Sequence, residues 1–555
     1  MAKQLAGPEP EPEPEPELLA GGSFGCRLLN MGRFSALVAS LCCPICKELS
    51  LLLKEKSSFL GTIGFNSRLE VECSNCDKLV ASEKASNVIG SRKCELNLRA
   101  VAAARNCGFG YDKLVRFFAG LDVPQPMHLK TFQRINGQVH DAAELAVEDC
   151  FERTAKAIRE HYMRLDDSLT NECTIPLVVS YDGTWHKRGH SSHHGIGVII
   201  EVHTGFVLDY HIISTYCQGC ANGPRRTSPL YAAWLKKHKD VCQKNYEGSA
   251  PSMEVAASEV LFRRSVEKYN FKYLTVLCDG DAKAVDRIND GNVYEEHVSK
   301  EDCVNHIAKR MWHGIEVVKK KLKGTSLSIT GKGKVTDKLQ KRLTNYYAKA
   351  LRTNAPDVVA MKEGAYASIM HMMSTDENPQ HTFCPPGEKS WCHYARETAT
   401  GQARGKHTAS LKRECGEQLF GIYDRLTKPE LLKRCIRMKT QNANECFNGQ
   451  IWRRCPKTDN IGLKTVETAA AMATLEFNMG PQGLGEVITT LGMKTGTNLA
   501  AHMKKAAVTR TARAKRKSAV ATIQKRKQRK LDKAGLSDVR QEREGVIYES
   551  GGFNS

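Results

Sequence analysis

The sequence predicts an α/β protein in which a mixed β-sheet is accompanied by helices, a cysteine-rich module and a basic tail. Four short runs of apolar and β-branched residues between positions 175 and 278 are typical of strands. Helical periodicity, with apolar residues at i, i+3 and i+4, dominates the chain on both sides of these runs. Paired cysteines with the spacing of metal ligands precede the first helical region. These three observations define the predicted fold class.

The four strand-like runs comprise residues 175–181, 195–203, 206–214 and 273–278. Thr204-Gly205 alone separates the second run from the third, which predicts a hairpin. A helical pattern over residues 255–269 suits a crossover to a fourth strand parallel to the first. Three strands in a meander, a helix and a fourth strand follow the order of an RNase H-like core.

Composition and periodicity divide the chain into seven predicted segments. They are a disordered Pro/Glu-rich tail at 1–25, a zinc-ribbon-like module at 26–85, a helical DNA-binding region at 86–165, the sheet core at 166–318 with a zinc-knuckle insertion at 217–242, a basic helical insertion at 319–433, a last catalytic helix with core completion at 434–480, and a basic helical tail at 481–555. Pro124 and Pro126 break the region 86–165 into at least two helices.

The chain is strongly basic, with 82 Lys+Arg against 61 Asp+Glu and a net charge of +21. Such an excess indicates a polyanionic partner, because each contact with a nucleic-acid phosphate releases condensed counterions. No apolar run approaches the roughly 18 residues of a membrane span. We therefore expect double-stranded DNA, and no membrane, as the partner.

Two aspartates each come directly after a predicted strand. Asp182 follows the first run and Asp279 follows the fourth, and Asp281 is the alternative to Asp279. Carboxylates at strand ends are held by the sheet and reach open space, where they can converge on Mg²⁺ or Mn²⁺. Asp-Gly after a strand is also ordinary turn chemistry. The two aspartates together, in this strand order, favour a catalytic metal site.

The third carboxylate of such a site is expected on a helix, and Glu445 is the candidate. In a predicted helix over residues 442–452, Ala443, Phe447 and Ile451 form an apolar stripe. Glu445 falls on another side of the helix, so it faces water or a cleft. Its polar and basic neighbours are suited to DNA.

Cysteine and histidine spacings predict two zinc sites. The first is a zinc ribbon built from two Cys-x-x-Cys pairs, with Cys42 as a competing ligand, and its expected ligands are Cys43, Cys46, Cys73 and Cys76. The second resembles a zinc knuckle inside the sheet core, and its expected ligands are Cys217, Cys220, His238 and Cys242. The absence of a secretion signal favours metal binding over disulfides for these residues.

For two further pairs of cysteine and histidine residues, the sequence does not decide whether they bind a metal. Cys303 and His306 are either half of a metal site or packing residues. Cys384 and Cys392 have a spacing that suits a metal-binding loop, completed by His381 or His393.

Basic residues near the predicted strands and helices are expected to contact DNA phosphates, and they are Lys187, Arg188, Lys332, Lys334, Arg453 and Arg454. The tail residues 515–517 and 525–527 are two basic triplets, typical of a nuclear localisation signal or a DNA-binding arm. We therefore expect a nuclear protein.

Six separated motifs together resemble the Mutator-like transposase domain found in invertebrate proteins: SYDGTWHKRGHSSHHG, VLDYHIISTYCQGC, CDGDAKAV, CVNHIAKRM, GKGKVTDKL and TQNANECFNGQIW. The resemblance covers about residues 40 to 480. It implies an RNase H-like fold that cuts and joins DNA with two Asp and one Glu, here Asp182, Asp279 and Glu445. It also implies that Cys303 and His306 match the family's Cys-x-x-His element.

The leading hypothesis is a metal-dependent DDE-type transposase that acts on transposon ends and target DNA as a homo-oligomer. The alternative is a domesticated, transposase-derived zinc and DNA-binding protein that has lost recombination. A third hypothesis is a zinc-dependent interaction protein in which the carboxylates are incidental.

Overall fold

The structure is a computed structural model that describes residues 26–56, 64–90, 93–187, 192–279, 283–401, 408–526, 528–530 and 532. The predicted disordered tail at 1–25 lies outside the described residues. The chain folds into two compact units. The first consists of Met1–Tyr273, Gly291–Val293 and Ala443–Arg510, and the second consists of Leu274–Asp290, Tyr294–Asn442 and Thr511–Ser555. The seven-segment division stays a prediction.

The first unit begins with a small module of one helix and three antiparallel strands. Helix α1 is Met31–Ala39, and the strands are β1 Leu51–Lys56, β2 Arg68–Cys73 and β3 Leu79–Lys84, in the order β1-β2-β3. Among the described residues of the module, the buried apolar core consists of Val38, Cys43, Leu51 and Cys73. Two of these four are cysteines, so apolar burial alone gives the module little stability.

A two-stranded ribbon leads into three helices, which agrees with the prediction of at least two. The ribbon comprises β4 Val88–Ile89 and β5 Lys93–Cys94, and the helices are α2 Glu95–Cys107, α3 Tyr111–Gly120 and α4 Leu129–Met163. Helix α2 ends at Gly108, whose φ of 77° is the left-handed conformation that favours glycine. Pro124 and Pro126 lie between α3 and α4.

The predicted strands form the main sheet, which confirms an α/β protein with sheets and helices. They are β6 Ile175–Trp185, β7 His194–Glu201, β8 Val207–Ser214 and β9 Phe271–Cys278. In the first unit β6, β7 and β8 form an antiparallel meander with β7 in the middle. The predicted hairpin is confirmed, and Gly205 in its turn has a φ of 77°.

Two glycines that face each other across β6 and β7 let a helix approach the sheet closely. Helix α7 is Met253–Arg263, and it packs on these two strands. Gly183 pairs with Gly197. A Cβ at Gly197 would lie 2.7 Å from the Cβ of Ala257, and one at Gly183 would lie 2.7 Å from the side chain of Glu254. At Gly197, where the neighbour is a Cβ of the helix itself, a larger residue would push α7 away from the sheet.

Helices cover both faces of this sheet. Helix α17 is Asn442–Arg454, and from Ala443 onward it belongs to the first unit. Tyr181 donates a hydrogen bond to the carbonyl of Glu254 in α7, whereas the next residue of β6, Asp182, contacts α17. Since successive side chains of a strand point to opposite faces, α7 and α17 lie on opposite faces.

The rest of the first unit is helical. Its elements are α5 Gln218–Asn222, α6 Tyr231–His238, α8 Ser265–Tyr269, α18 Leu463–Met479, α19 Gly483–Thr490 and the first part of α20 Thr497–Ser518, with short 3-10 helices at Lys239–Val241, Ala250–Ser252 and Gly480–Gln482. Helices α4 and α18 pack against each other and against β8. Asn478 of α18 binds both backbone groups of Val207, at 2.8 and 2.9 Å.

The second unit is mostly helical, as predicted for the insertion. It contains α9 Lys283–Asp290, β10 Ser299–Asp302, α10 Val304–Lys321, α11 Asp337–Asn354, α12 Val358–Met373, α13 His393–Thr400, α14 Arg413–Glu417, α15 Phe420–Leu426 and α16 Pro429–Lys433. Strand β10 pairs parallel with the end of β9. The short polar sequence of β10 gave no strand signal. The apolar core of the second unit is built from α10, α11, α12 and α15, and includes Leu343, Tyr347, Ile369 and Tyr423.

Among the described residues, no helix is long and apolar enough to cross a membrane.

Candidate active site and metal-ligand clusters

Asp182 lies inside β6, not beyond its end. The sequence predicted that the strand stops at Tyr181, because Asp-Gly is typical of turns, and this boundary is wrong. Asp182 pairs with Val198, and the ladder with β7 continues to Trp185. The ladder provides hydrogen-bond partners for the backbone that a turn would leave exposed. The side chain of Asp182 is half-buried on the face covered by α17.

Helix α17 is aligned with β6 by three hydrogen bonds. Side chains four residues apart on the helix donate to alternate residues of the strand: Asn444 Nδ2 to Ser180 O at 3.4 Å, Asn448 Nδ2 to Asp182 Oδ2 at 2.7 Å, and Trp452 Nε1 to Thr184 Oγ1 at 2.8 Å. Sequence analysis did not single out these three side chains individually. Their i, i+4, i+8 spacing was the available signal, because it places all three on one helix face.

Glu445 is exposed, as predicted, whereas Phe447 and Ile451 are fully buried. Glu445 lies three residues before Asn448, and residues three apart are neighbours on a helix surface. The carboxylate of Glu445 and the amide that binds Asp182 therefore belong to adjacent positions of α17.

Asp279 follows β9 directly in the second unit, as predicted, and it is exposed. The alternative ligand Asp281 lies outside the described residues.

The first predicted zinc-ligand set comes together in the N-terminal module. Ligand atoms of Cys43, Cys46, Cys73 and Cys76 all lie within 4.8 Å of one another. The sulfur of Cys43 is 3.9 Å from that of Cys76, and the sulfur of Cys46 is 3.5 Å from that of Cys73. The backbone N–H of Ile45 lies 3.4 Å from the Cys43 sulfur. Cys42 is exposed and lies outside the cluster, which resolves the ambiguity left by the sequence.

Two thiols of this cluster have opposite pKa shifts. The hydroxyl of Ser50 lies 3.0 Å from the Cys73 sulfur and, by hydrogen bonding, lowers the pKa of Cys73 to about 6. Burial raises the pKa of Cys76 to about 12. Cys73 is therefore the thiol most readily ionised for a metal, because the thiolate is the ligating form.

The second predicted set also comes together, and it consists of Cys217, Cys220, His238 and Cys242. Nε2 of His238 lies 3.4 Å from the Cys217 sulfur and 3.1 Å from the Cys220 sulfur. Trp234 stacks on the ring of His238 with centroids 4.5 Å apart. A Cβ at Gly219 would lie 2.4 Å from His238 Cε1, so only glycine fits between these ligands.

The second unit contains a third cluster, formed by His371, His381, Cys384 and Cys392. The cysteine spacing predicts Cys384 and Cys392 with His381 or His393, and it gives no indication of His371. The structure includes His381 and not His393. His371 gave no spacing signal, because it lies on α12, ten residues before His381.

A family model of Mutator-like transposases matches residues 25–392, well over half of the 555-residue chain. The chain belongs to the Mutator-like transposase family. The match includes Asp182, Asp279 and all three cysteine clusters, whereas Glu445 lies beyond its end. Comparison with curated proteins finds no match. Membership of this transposase family implies DNA binding and the use of divalent metal ions.

The basic residues predicted to contact DNA differ in exposure. Lys332 and Arg453 are exposed, and Lys334 is half-buried with its ammonium bonded to the carbonyl of Ser328. Lys187 is half-buried and donates to Asn460 at 2.8 Å. Arg188 lies outside the described residues.

The expected DNA contact of Arg454 is not supported. Its side chain is buried, forms an ion pair with Glu476 and donates to Asn106 at 2.9 Å and to the carbonyl of Gln450 at 3.2 Å. The buried guanidinium is thus held by groups of the protein itself. Adjacency to Arg453 suggested a basic pair, but on a helix consecutive residues point in different directions.

Cys303 and His306 belong to none of the three clusters found among the described residues. The thiol of Cys303 is buried at the start of α10, where it accepts a hydrogen bond from the backbone N–H of Gln441 at 3.3 Å. This contact favours a packing role for Cys303.

Proposed function

We propose that this chain is a metal-dependent DDE-type transposase that cleaves DNA strands and transfers their ends. In this proposal Asp182, Asp279 and Glu445 bind Mg²⁺ or Mn²⁺ in an RNase H-like core. The observation that supports it best is the alignment of α17 with β6, because it ties the helix of Glu445 to the strand of Asp182.

The hydrogen bond from Asn448 to Asp182 supports this pairing directly. Asn448 donates to Oδ2 of Asp182 at 2.7 Å. Cβ atoms three residues apart on a helix are about 5–6 Å from each other. Glu445 therefore lies one helical turn from a side chain that touches Asp182. On this basis the proposal assigns the carboxylates of Asp182 and Glu445 to one cation site.

The donor set suits hard cations. Carboxylate oxygens are the ligands that Mg²⁺ and Mn²⁺ prefer, whereas the thiolate clusters suit Zn²⁺. Bound divalent ions would supply activation of a water or a 3′-hydroxyl and stabilisation of the leaving oxygen. The amide of Asn448 orients the carboxylate of Asp182, and α17 holds Glu445 beside that strand.

The strand order also supports an RNase H-like core. The antiparallel β6-β7-β8 meander and β9 beside β6 follow the order predicted from the sequence. Helix α7 supplies the connection between β8 and β9 and packs on the face opposite α17.

Basic residues near this face of the first unit suit a DNA backbone. Trp452 contacts Thr184, so the end of α17 meets the end of β6. Arg453 is exposed, and Lys187 is half-buried and donates to Asn460. Phosphate contacts there would position DNA without reading its sequence. We also propose a nuclear location and a homo-oligomer on DNA, based on the basic tail and on the two ends that transposition joins.

The test uses the purified full chain, a labelled DNA end taken from the sequence that flanks the coding region, and Mg²⁺ or Mn²⁺. We expect Asp182→Asn, Asp279→Asn and Glu445→Gln each to abolish cleavage, because each removes a metal ligand. DNA binding, measured by filter retention, should persist. Glu247→Gln is the control, since its side chain is 90% exposed and pairs only with Lys244 among the ion pairs described.

The results distinguish a transposase from a DNA-binding protein without nuclease activity. A variant with wild-type cleavage removes that residue from the site. A wild-type chain that binds DNA and never cleaves it would overturn the nuclease proposal and favour the domesticated binding protein.

A further inference from the structure

The loop between α12 and α13 in the second unit brings four ligand atoms together, all within 4.8 Å of one another. We propose that this loop binds a structural Zn²⁺ through two imidazoles and two thiolates, namely those of His371, His381, Cys384 and Cys392. The site is separate from the two zinc sites predicted from cysteine spacing and from the proposed carboxylate site.

The distances match a tetrahedral zinc site. Zn–N bonds of about 2.0–2.1 Å and Zn–S bonds of about 2.3 Å set N···N at about 3.3 Å and N···S at about 3.6 Å. The Nδ1 atoms of His371 and His381 are 3.3 Å apart. Nδ1 of His381 lies 3.4 Å from the Cys392 sulfur and 3.7 Å from the Cys384 sulfur. Nδ1 of His371 lies 3.8 Å from the Cys384 sulfur.

Neighbouring groups orient the ligands as in established zinc sites. The hydroxyl of Ser374 lies 2.9 Å from Nε2 of His381, which leaves Nδ1 as the ligand atom. Tyr394 stacks on the ring of His381 with centroids 4.2 Å apart. The backbone N–H of Ala395, in the first turn of α13, lies 3.4 Å from the Cys392 sulfur and favours a thiolate there.

The loop has no apolar core of its own. Residues 374–392 are all described, and they contain no helix or strand. Their buried side chains are Ser374, Cys384, Ser390 and Cys392, none of which is aliphatic. Phe383 and Trp391, the large apolar side chains of the loop, are exposed. A bound metal would supply the ordering energy that apolar burial does not.

The ligand number indicates a structural role. Four protein ligands close a tetrahedral site, whereas a catalytic zinc keeps one position open for water. The proposed ion therefore attaches the loop to the end of α12 and to the start of α13.

The experiment counts zinc per chain in the intact protein by native mass spectrometry, with circular dichroism as the check on folding. We expect His381→Ala to bind one zinc fewer than the wild type. His393→Ala is the matched control, since His393 is exposed and lies beside Cys392 but outside the cluster. It should retain the wild-type count.

A ligand-exchange variant separates metal binding from packing. His381→Cys replaces one zinc ligand by another, so it should restore the lost zinc, whereas a purely structural histidine would not be rescued. The proposal is overturned if folded His381→Ala retains the wild-type zinc count. It is equally overturned if His381→Cys loses the same zinc as His381→Ala while both remain folded.

Discussion

Replacing Cys43 by alanine should release the N-terminal module from its fold while leaving the rest of the chain intact. Cys43 is fully buried, and its sulfur lies 3.9 Å from that of Cys76 in the four-cysteine cluster. The substitution removes one of four ligands without introducing a bulky or charged group. Its effect therefore reports how much the module depends on zinc.

The expected magnitude follows from comparing the metal with the apolar core. Zinc supplies about 10–16 kcal/mol in small zinc-dependent domains, or roughly 2.5–4 kcal/mol for each of four ligands. Among the described residues of the module the buried aliphatic side chains are Val38 and Leu51, and each contributes about 1.5–3 kcal/mol. Losing one ligand thus costs as much as losing a complete core side chain. It should weaken zinc binding by about 10²–10³-fold.

The assay is limited proteolysis of the full chain at increasing chelator concentration, with cleavage sites mapped by mass spectrometry. Cleavage between residues 26 and 85 should begin at a lower chelator concentration in Cys43→Ala than in the wild type. Cys42→Ala is the control, because Cys42 is the adjacent, exposed cysteine outside the cluster. Identical chelator midpoints for the two variants would refute the reasoning.

Three further predictions concern the first unit, and each is measured by urea unfolding. Asp209 is 1% exposed and is bonded to Arg264 at 2.7 and 2.8 Å. Arg264→Ala should lower the free energy of unfolding by about 3–5 kcal/mol, because it leaves the carboxylate of Asp209 as an unpaired buried charge. A loss below 1 kcal/mol would contradict this. Burial lowers the pKa of His194 to about 4, below its unfolded value of about 6.5. The folded state therefore binds this proton less readily, and the contribution of His194 to stability, at most about 3 kcal/mol, is present above pH 6.5 and is lost as the pH falls to 4. His194→Gln should flatten the pH dependence by that amount, and an unchanged profile would exclude His194 as the cause. Gly197→Ala should cost about 1–3 kcal/mol, because its Cβ would lie 2.7 Å from a side chain of α7. Gly449→Ala, at a helical glycine with nothing within 4 Å, should cost nothing, and equal effects of the two changes would contradict the packing argument.

The main-sheet strands were predictable because their signals are local. Two apolar runs separated by Thr204-Gly205 specify a hairpin within about twenty residues of chain, and β7 and β8 confirm it. The end of β6 was not predictable in this way. Asp182-Gly183 has the composition of a turn, and only pairing with β7 extends the strand to Trp185.

The candidate site was also only partly predictable from the sequence. Sequence spacing identified Glu445 as a helical residue away from the apolar stripe, but it did not identify Asn448 as the partner of Asp182. That contact joins residues 266 positions apart, and no local pattern encodes it. The same limit applies to Arg454. Its sequence context is typical of a DNA-binding residue, but in the fold Glu476 and Asn106 bind its guanidinium.

The sequence by itself determined the strand-like runs, the Cys-x-x-Cys pairs and the basic character, because periodicity, ligand spacing and charge are properties of neighbouring residues. Only the tertiary structure decided that Cys43 and not Cys42 joins the first cluster, and that His371 and His381 join the third. The physical reason is that metal ligands must meet within a few ångströms, and the path of the chain between them decides which side chains do so.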